Sequence, residues 1–269
     1  MSSIYSLLSF DDPHIIEPTA AHTHTIIFLH GLGCNGPDFA TKLLAAHTTC
    51  SLTLSESLPG YRWVFPSAKA RKSVVFSQDQ GWFEISSLQH TDYNQHLQLE
   101  GLKEAVTFIN KLIKDEAEKV GGYKKVVLAG IDQGAATALP VLLCGGKRLG
   151  GFVGLNTWMP FEGKVETILG FWEGVKGANF ARYIAAVMQN RLDQAYEDVK
   201  AVLGTPVFFG HGVDDKWVHI GSGEQAAAIL KQMGMKTIWK EYEGGEEEGH
   251  WLKESEEYDD IVEFLESVL

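Results

Sequence analysis

KKVVLAGIDQGAATALPVLL, from Lys124 to Leu143, passes from a β-branched apolar run through a glycine-flanked turn into a helix-forming run. Read as buried strand, tight turn and helix, it puts Gly130-Ile131-Asp132-Gln133-Gly134 in the frame G-x-Nuc-x-G, in which the middle side chain stands at the tip of a strained turn. The glycines have a steric reason, because strand and helix approach so closely at such a turn that their neighbours must be small. The helix after the turn aims its amino end at the tip, where it stabilises negative charge. The occupant of the tip is Asp132, where a serine is the usual residue.

The same alternation of apolar strand-length runs and helical stretches recurs on both sides. Strands are expected at Thr25 to His30, Arg62 to Pro66, Lys125 to Ala129, Gly151 to Leu155, Pro206 to Gly210 and Thr237 to Tyr242. Their Val, Ile and Phe content suits strands buried on both faces, so the pattern predicts an α/β fold with a mostly parallel sheet covered by helices. A long amphipathic helix is expected from about Asn94 to Val120, with Leu102, Ala105, Val106, Ile109, Leu112 and Ile113 on one stripe and Gly121-Gly122 as its stop. From about 161 to 204 there is no strand signal, and Phe180, Ile184, Val187, Met188, Leu192, Ala195, Val199 and Val202 follow helical spacing. This helical excursion leaves one strand end and returns to the next, over the carboxyl edge of the sheet. A lid over the site and a helix pair packed on the sheet both fit it. No repeat or linker divides the chain, so residues 1–269 are read as one domain.

Composition limits the partners. Thirty-five acidic residues against 23 Lys plus Arg give a formal charge of −12, which repels nucleic acid and anionic lipid. No apolar run is long enough to span a membrane, and the amino-terminal segment lacks the basic and apolar regions of a signal peptide, so a cytoplasmic protein is expected. Cys34, Cys50 and Cys144 are odd in number and widely spaced, suiting a reducing compartment and forming neither a disulfide framework nor a metal pair. His22 and His24 make an H-x-H pair at the entry to a strand and are read as strand-edge histidines. Cys34 is read as a small filler rather than a nucleophile, and Glu246-Glu247-Glu248 as a solvated loop whose charge raises the pKa of the neighbouring His250. Neither a metal nor another cofactor is expected.

Upstream of the elbow, the first buried strand runs into His30-Gly31-Leu32-Gly33-Cys34-Asn35-Gly36, a loop able to turn backbone N–H groups toward Asp132. Downstream, His211-Gly212-Val213-Asp214-Asp215 places carboxylates just past a strand end, and His250 lies between the last strand and the last helix. The chain order is therefore nucleophile position, acid, base. With IIEPTAAHTHTIIFLHGLG (Ile15 to Gly33), LPGYRWVFPSA (Leu58 to Ala68), GWFEI (Gly81 to Ile85), GGFVGLNTWMPF (Gly150 to Phe161) and HGVDDKWV (His211 to Val218), the sequence resembles the phospholipase/carboxylesterase family of α/β-hydrolases that includes the acyl-protein thioesterases. The resemblance implies an α/β-hydrolase fold, a small hydrophobic ester-like or acylated substrate, oxyanion donors at the backbone N–H of Leu32 and Gln133, an acid at Asp215 and a base at His250. Trp82, Trp158, Met159 and Trp217 lie in motif segments near strand ends, where an apolar substrate pocket and core packing are both open to them. The chain departs from the family pattern at Cys34, commonly Asp, in the length of the helical stretch after Pro160, and above all at Asp132.

An elbow aspartate changes the chemistry. A carboxylate needs no base before it attacks, but attack on an acyl carbonyl gives a mixed anhydride, so ordinary ester turnover is expected to be poor. Three readings stay open. Asp132 attacks an sp³ carbon and forms an alkyl ester that His250 helps water to cleave; Asp132 and His250 act as an acid/base pair in a lyase, cyclase or isomerase reaction; or Asp132 replaces serine in an inactive hydrolase or a hydrophobic-ligand binder.

Overall fold

The computed structural model describes residues 10–71, 79–162 and 196–268. Its strands are β1 (His14–Ile16), β2 (His24–Leu29), β3 (Tyr61–Phe65), β4 (Ala70–Arg71), β5 (Asp79–Gln80), β6 (Val126–Ile131), β7 (Gly151–Leu155), β8 (Val207–Gly212) and β9 (Thr237–Tyr242). Its α-helices are α1 (Gly36–Leu43), α2 (Leu54–Ser57), α3 (Gln98–Val120), α4 (Gln133–Cys144), α5 (Tyr196–Leu203), α6 (Ile220–Gln232) and α7 (Glu256–Ser267). The sheet order is β1-β3-β2-β6-β7-β8-β9, parallel throughout except that β1 runs antiparallel to β3; β4 and β5 form a separate antiparallel pair.

Strand periodicity explains why the central strands are apolar at nearly every position. In β2, Ile27 and Leu29 face the core under α3, α4 and α6, while Ile26 and Phe28 face the core under α1, α2 and α7. β6 divides in the same way, with Leu128 on one face and Val127 and Ala129 on the other. β9 departs from the expectation of burial on both faces: it is the edge strand, and Thr237 to Tyr242 alternate between partial burial and exposure before the buried Tyr242. The short β1, β4 and β5 lie outside the expected strands, being too brief to carry a periodic signal. The long helix begins at Gln98, four residues later than the sequence suggests, and ends as expected on Gly121, whose φ of 87° a glycine adopts without strain.

Of the helical excursion expected at 161–204, α5 is the described helical part, and most of the proposed lid lies outside the described residues. The parallel register gathers the strand ends. Leu29 pairs with Gly130, Ile131 with Leu155, and Leu155 with Gly210, so the segments leaving β2, β6, β7 and β8 all emerge at one edge of the sheet.

Candidate active site

At that edge β6 turns into α4 within one residue. Asp132 has φ 52° and ψ −127°, a backbone conformation that costs a non-glycine residue about 1–3 kcal/mol and persists only when its surroundings enforce it. They do: the Asp132 N–H donates to the Leu155 carbonyl at 2.9 Å, and the Asp132 carbonyl accepts from the Ala136 N–H and the Thr157 hydroxyl, both at 3.0 Å. The glycines are required by contact. A Cβ on Gly130 would lie 2.5 Å from the Ala135 nitrogen, and one on Gly134 would lie 2.4 Å from the carbonyl oxygens of Leu29 and His30.

The loop after β2 is riveted by His30. The Ala68 N–H donates to its Nε2 at 2.9 Å, so Nδ1 carries the proton and donates to the Gly31 carbonyl at 2.7 Å. Burial pushes the His30 pKa down to about 4, which keeps this rivet neutral. The loop so held points the Leu32 N–H at Asp132, where it donates to Oδ2 at 2.8 Å. The side-chain oxygen of Asp132 therefore occupies the place that the sequence reading assigns to a substrate oxyanion. Its other oxygen, Oδ1, is buried and has no hydrogen-bond partner among the described residues. Burial raises the Asp132 pKa; the charge of His250 and the backbone N–H groups of Leu32 and Gln133 oppose that rise.

Asp215 and His250, the acid and base that the family resemblance implies, are in contact. His250 Nδ1 lies 2.9 Å from Asp215 Oδ2, while Asp215 Oδ1 accepts the N–H groups of Trp217 at 2.8 Å and Val218 at 3.0 Å. Asp214 turns away and accepts the Gly244 N–H. Burial opposes a charge on His250, but the hydrogen bond to Asp215 and the negative charges of Asp132, Asp215 and Glu247 outweigh it, so its pKa is raised.

Two cavities meet at these residues. One of about 380 Å³ is lined by Leu32, Leu88, Asp132, Trp217, Glu248 and His250, and the other, of about 260 Å³, by Cys34, Phe39, Lys42, Asp132, His250 and Trp251 among others. Of the four candidate pocket residues, only Trp217 lines a cavity at the site among the described residues; it is 47% exposed. Trp82, Trp158 and Met159 pack in the core instead. Trp82 has a local reason: its indole N–H donates to the His30 carbonyl at 2.9 Å, and its backbone N–H to the Gln133 side chain at 2.8 Å. Gln133 Nε2 in turn donates to the Phe83 carbonyl at 2.9 Å, so its side chain ties the Trp82-Phe83 segment to the elbow. Cys34 is half-buried, with its thiol pKa pushed up by burial, and His22 bonds to Thr25 while His24 stacks on Tyr61.

Sequence reasoning passed over Asn156, immediately after β7. Its Nδ2 donates to the His250 carbonyl at 2.6 Å and its Oδ1 accepts the Gly212 N–H at 2.8 Å. The available signal was an asparagine at a strand end, a residue that tolerates left-handed backbone.

Comparisons with known proteins bear on the family and the fold. The profile of the phospholipase/carboxylesterase family matches residues 10–170. Acyl-protein thioesterase 1 of Cryptococcus neoformans is 27% identical over 222 residues, covering 81% of this chain and 76% of that protein. Carboxylesterase SOBER1 of Arabidopsis thaliana is 26% identical, covering 81% of each. The crystal structure of Zea mays acyl-protein thioesterase 2 superposes with a TM-score of 0.68 over 95% of this chain and 98% of that one, at 23% identity.

Proposed function

The chain belongs to the phospholipase/carboxylesterase family and is a hydrolase of the carboxylesterase and acyl-protein thioesterase type; from this premise we propose that it cleaves a hydrophobic, ester-like substrate through covalent attack by Asp132 on a saturated carbon. The carbon carries an oxygen leaving group, as in a strained cyclic ether or an activated ester opened on its alkyl side. One observation carries this reading: Asp132 Oδ2 rests on the Leu32 N–H, Oδ1 is buried without a hydrogen-bond partner among the described residues, and Asp132 and His250 line the same cavity.

In the first step Oδ1 attacks the carbon, the carbon–oxygen bond breaks, and the departing oxygen takes the proton of His250. The raised pKa of His250 favours the protonated form that this step needs. Asp132 is then an alkyl ester and His250 a neutral base, oriented through Nδ1 by Asp215. In the second step His250 removes a proton from water, and the hydroxide adds to the Asp132 side-chain carbon. The negative charge develops on Oδ2, where the Leu32 N–H already sits. Collapse releases the alkoxide, which takes the proton back from His250. The carboxylic acid left on Asp132 then protonates His250 and restores the starting pair.

Acyl transfer is disfavoured by the same contact. The amide that would receive a substrate carbonyl oxygen is engaged by the enzyme's own carboxylate, and the acyl product would be a mixed anhydride. Single turnover of phenyl glycidyl ether in heavy-oxygen water tests the proposal. Diol formation with label in the peptide containing Asp132 is expected, whereas diol with an unlabelled peptide rejects covalent attack in favour of acid/base chemistry. Asp132→Ser empties the amide site and restores the family nucleophile, so 4-nitrophenyl butyrate hydrolysis should rise by ~10³-fold.

A further inference from the structure

Three consecutive residues before His250 have positive φ: Glu247 at 52°, Glu248 at 59° and Gly249 at 84°. His250 therefore enters the site from irregular backbone, with no strand ladder or helix to fix its position. Its carbonyl is held by Asn156, whose side chain at the same time receives the Gly212 N–H at the end of β8, just before the turn that carries Asp215. Asn156 is itself anchored: it is 1% exposed, its N–H donates to the Gly210 carbonyl at 2.9 Å, and its φ is 44°. A buried, left-handed asparagine that uses both ends of its amide to join the base segment to the acid strand does more than close a turn.

We propose that Asn156 is a positioning residue that sets the separation of His250 from Asp215. This rests on reading His250 as the acid and base of the site, and it adds the group that holds that residue in range. The His250 to Asp215 contact is 2.9 Å, and such bonds weaken steeply once distance and angle depart from the optimum. Two side-chain bonds from one buried amide transmit the position of β8 directly to the histidine backbone. The charged groups facing His250 are Asp215, Asp132 and Glu247, and His211, whose pKa is lowered by burial, has its Nε2 3.7 Å from Asp215 Oδ2. Asn156 carries no charge. Replacing it with glycine leaves all of those charges in place, so a change at His250 then reports geometry.

The experiment is imidazole NMR on the whole protein, with His250 assigned against His250→Gln. Asn156→Gly keeps the backbone conformation unstrained and deletes both side-chain bonds. Its expected result is a fall of about one unit in the His250 pKa, together with loss of the downfield Nδ1–H resonance that a histidine gives when bonded to a carboxylate. A folded Asn156→Gly protein with the wild-type pKa and resonance, and only a lower Tm, overturns the proposal. Should that variant not fold, Asn156→Asp, read at a pH where the new carboxyl is ionised, keeps the acceptor for Gly212 and cannot donate to His250; because it also adds a negative charge, only the resonance and not the pKa is compared. Loss of the resonance there supports the proposal and its persistence overturns it. No substrate enters these measurements, so they stand or fall separately from covalent attack by Asp132.

Discussion

Two buried carboxylates, at opposite edges of the same sheet, differ in one respect. At the amino edge Glu116, 1% exposed, has both oxygens engaged: Lys119 donates to Oε1 at 2.6 Å, while Arg62 at 3.1 Å and Thr25 at 3.4 Å donate to Oε2. At the carboxyl edge Asp132, 3% exposed, has one oxygen on the Leu32 N–H and the other without a partner among the described residues. A buried carboxylate with both oxygens engaged is a structural fixture. One left partly unsatisfied stores desolvation energy that a substrate or transition state can release. Pairing, rather than burial, separates the two.

The largest expected effect is on catalysis at the incompletely paired carboxylate. Asp132→Asn keeps shape and volume but removes the attacking charge, and single-turnover product formation should fall by at least ~10⁴-fold while far-UV circular dichroism is unchanged. Retained turnover would put Asp132 in the same class as Glu116. Next is the fully paired edge. Arg62→Met leaves the buried Glu116 without its guanidinium partner at Oε2, and urea unfolding should register a loss of ~3–5 kcal/mol with activity per folded molecule preserved. A loss of activity at that distance from the site would erase the contrast.

The smallest effect concerns an intermediate case. Glu257 is buried, with Oε2 on the Lys253 N–H at 2.9 Å and Oε1 unpartnered among the described residues, and burial pushes its pKa up to about 8. The folded state then binds a proton that the unfolded state has released. Its contribution is full below the ordinary carboxylate range and is lost as pH rises toward the folded-state value. Stability should decline by ~1–3 kcal/mol between about pH 5 and about pH 8 from this group, and Glu257→Gln should flatten that decline. A variant that retains the full slope would place the titration elsewhere.

Much of this was legible in sequence because the signals are local. β7 and β9 have the bounds that the apolar runs predict, and β2, β3, β6 and β8 differ from them by one or two residues at their ends. Gly130 and Gly134 announced a tight elbow because the steric demand falls on residues within a few positions of the turn. The four candidate pocket residues were ambiguous for the opposite reason. Nothing near Trp82 in the chain says that its indole will bond to the His30 carbonyl, and nothing near Trp158 says that it will pack against Phe83 in the core. Asn156 escaped notice because its partners, Gly212 and His250, lie far along the chain.

The sequence alone established the parallel α/β layout, the strained turn bearing Asp132, and the order in which Asp215 and His250 come after it, since apolar period, glycine spacing and motif order are properties of contiguous residues. Only the folded structure decided that Asp132 places one oxygen on the Leu32 amide and leaves the other without a partner among the described residues, that His250 lies 2.9 Å from Asp215, and that Asn156 holds the histidine backbone. Those outcomes depend on which polar groups from remote segments share a water-poor space, and hydrogen bonding there is settled by distance in three dimensions, not by separation along the chain.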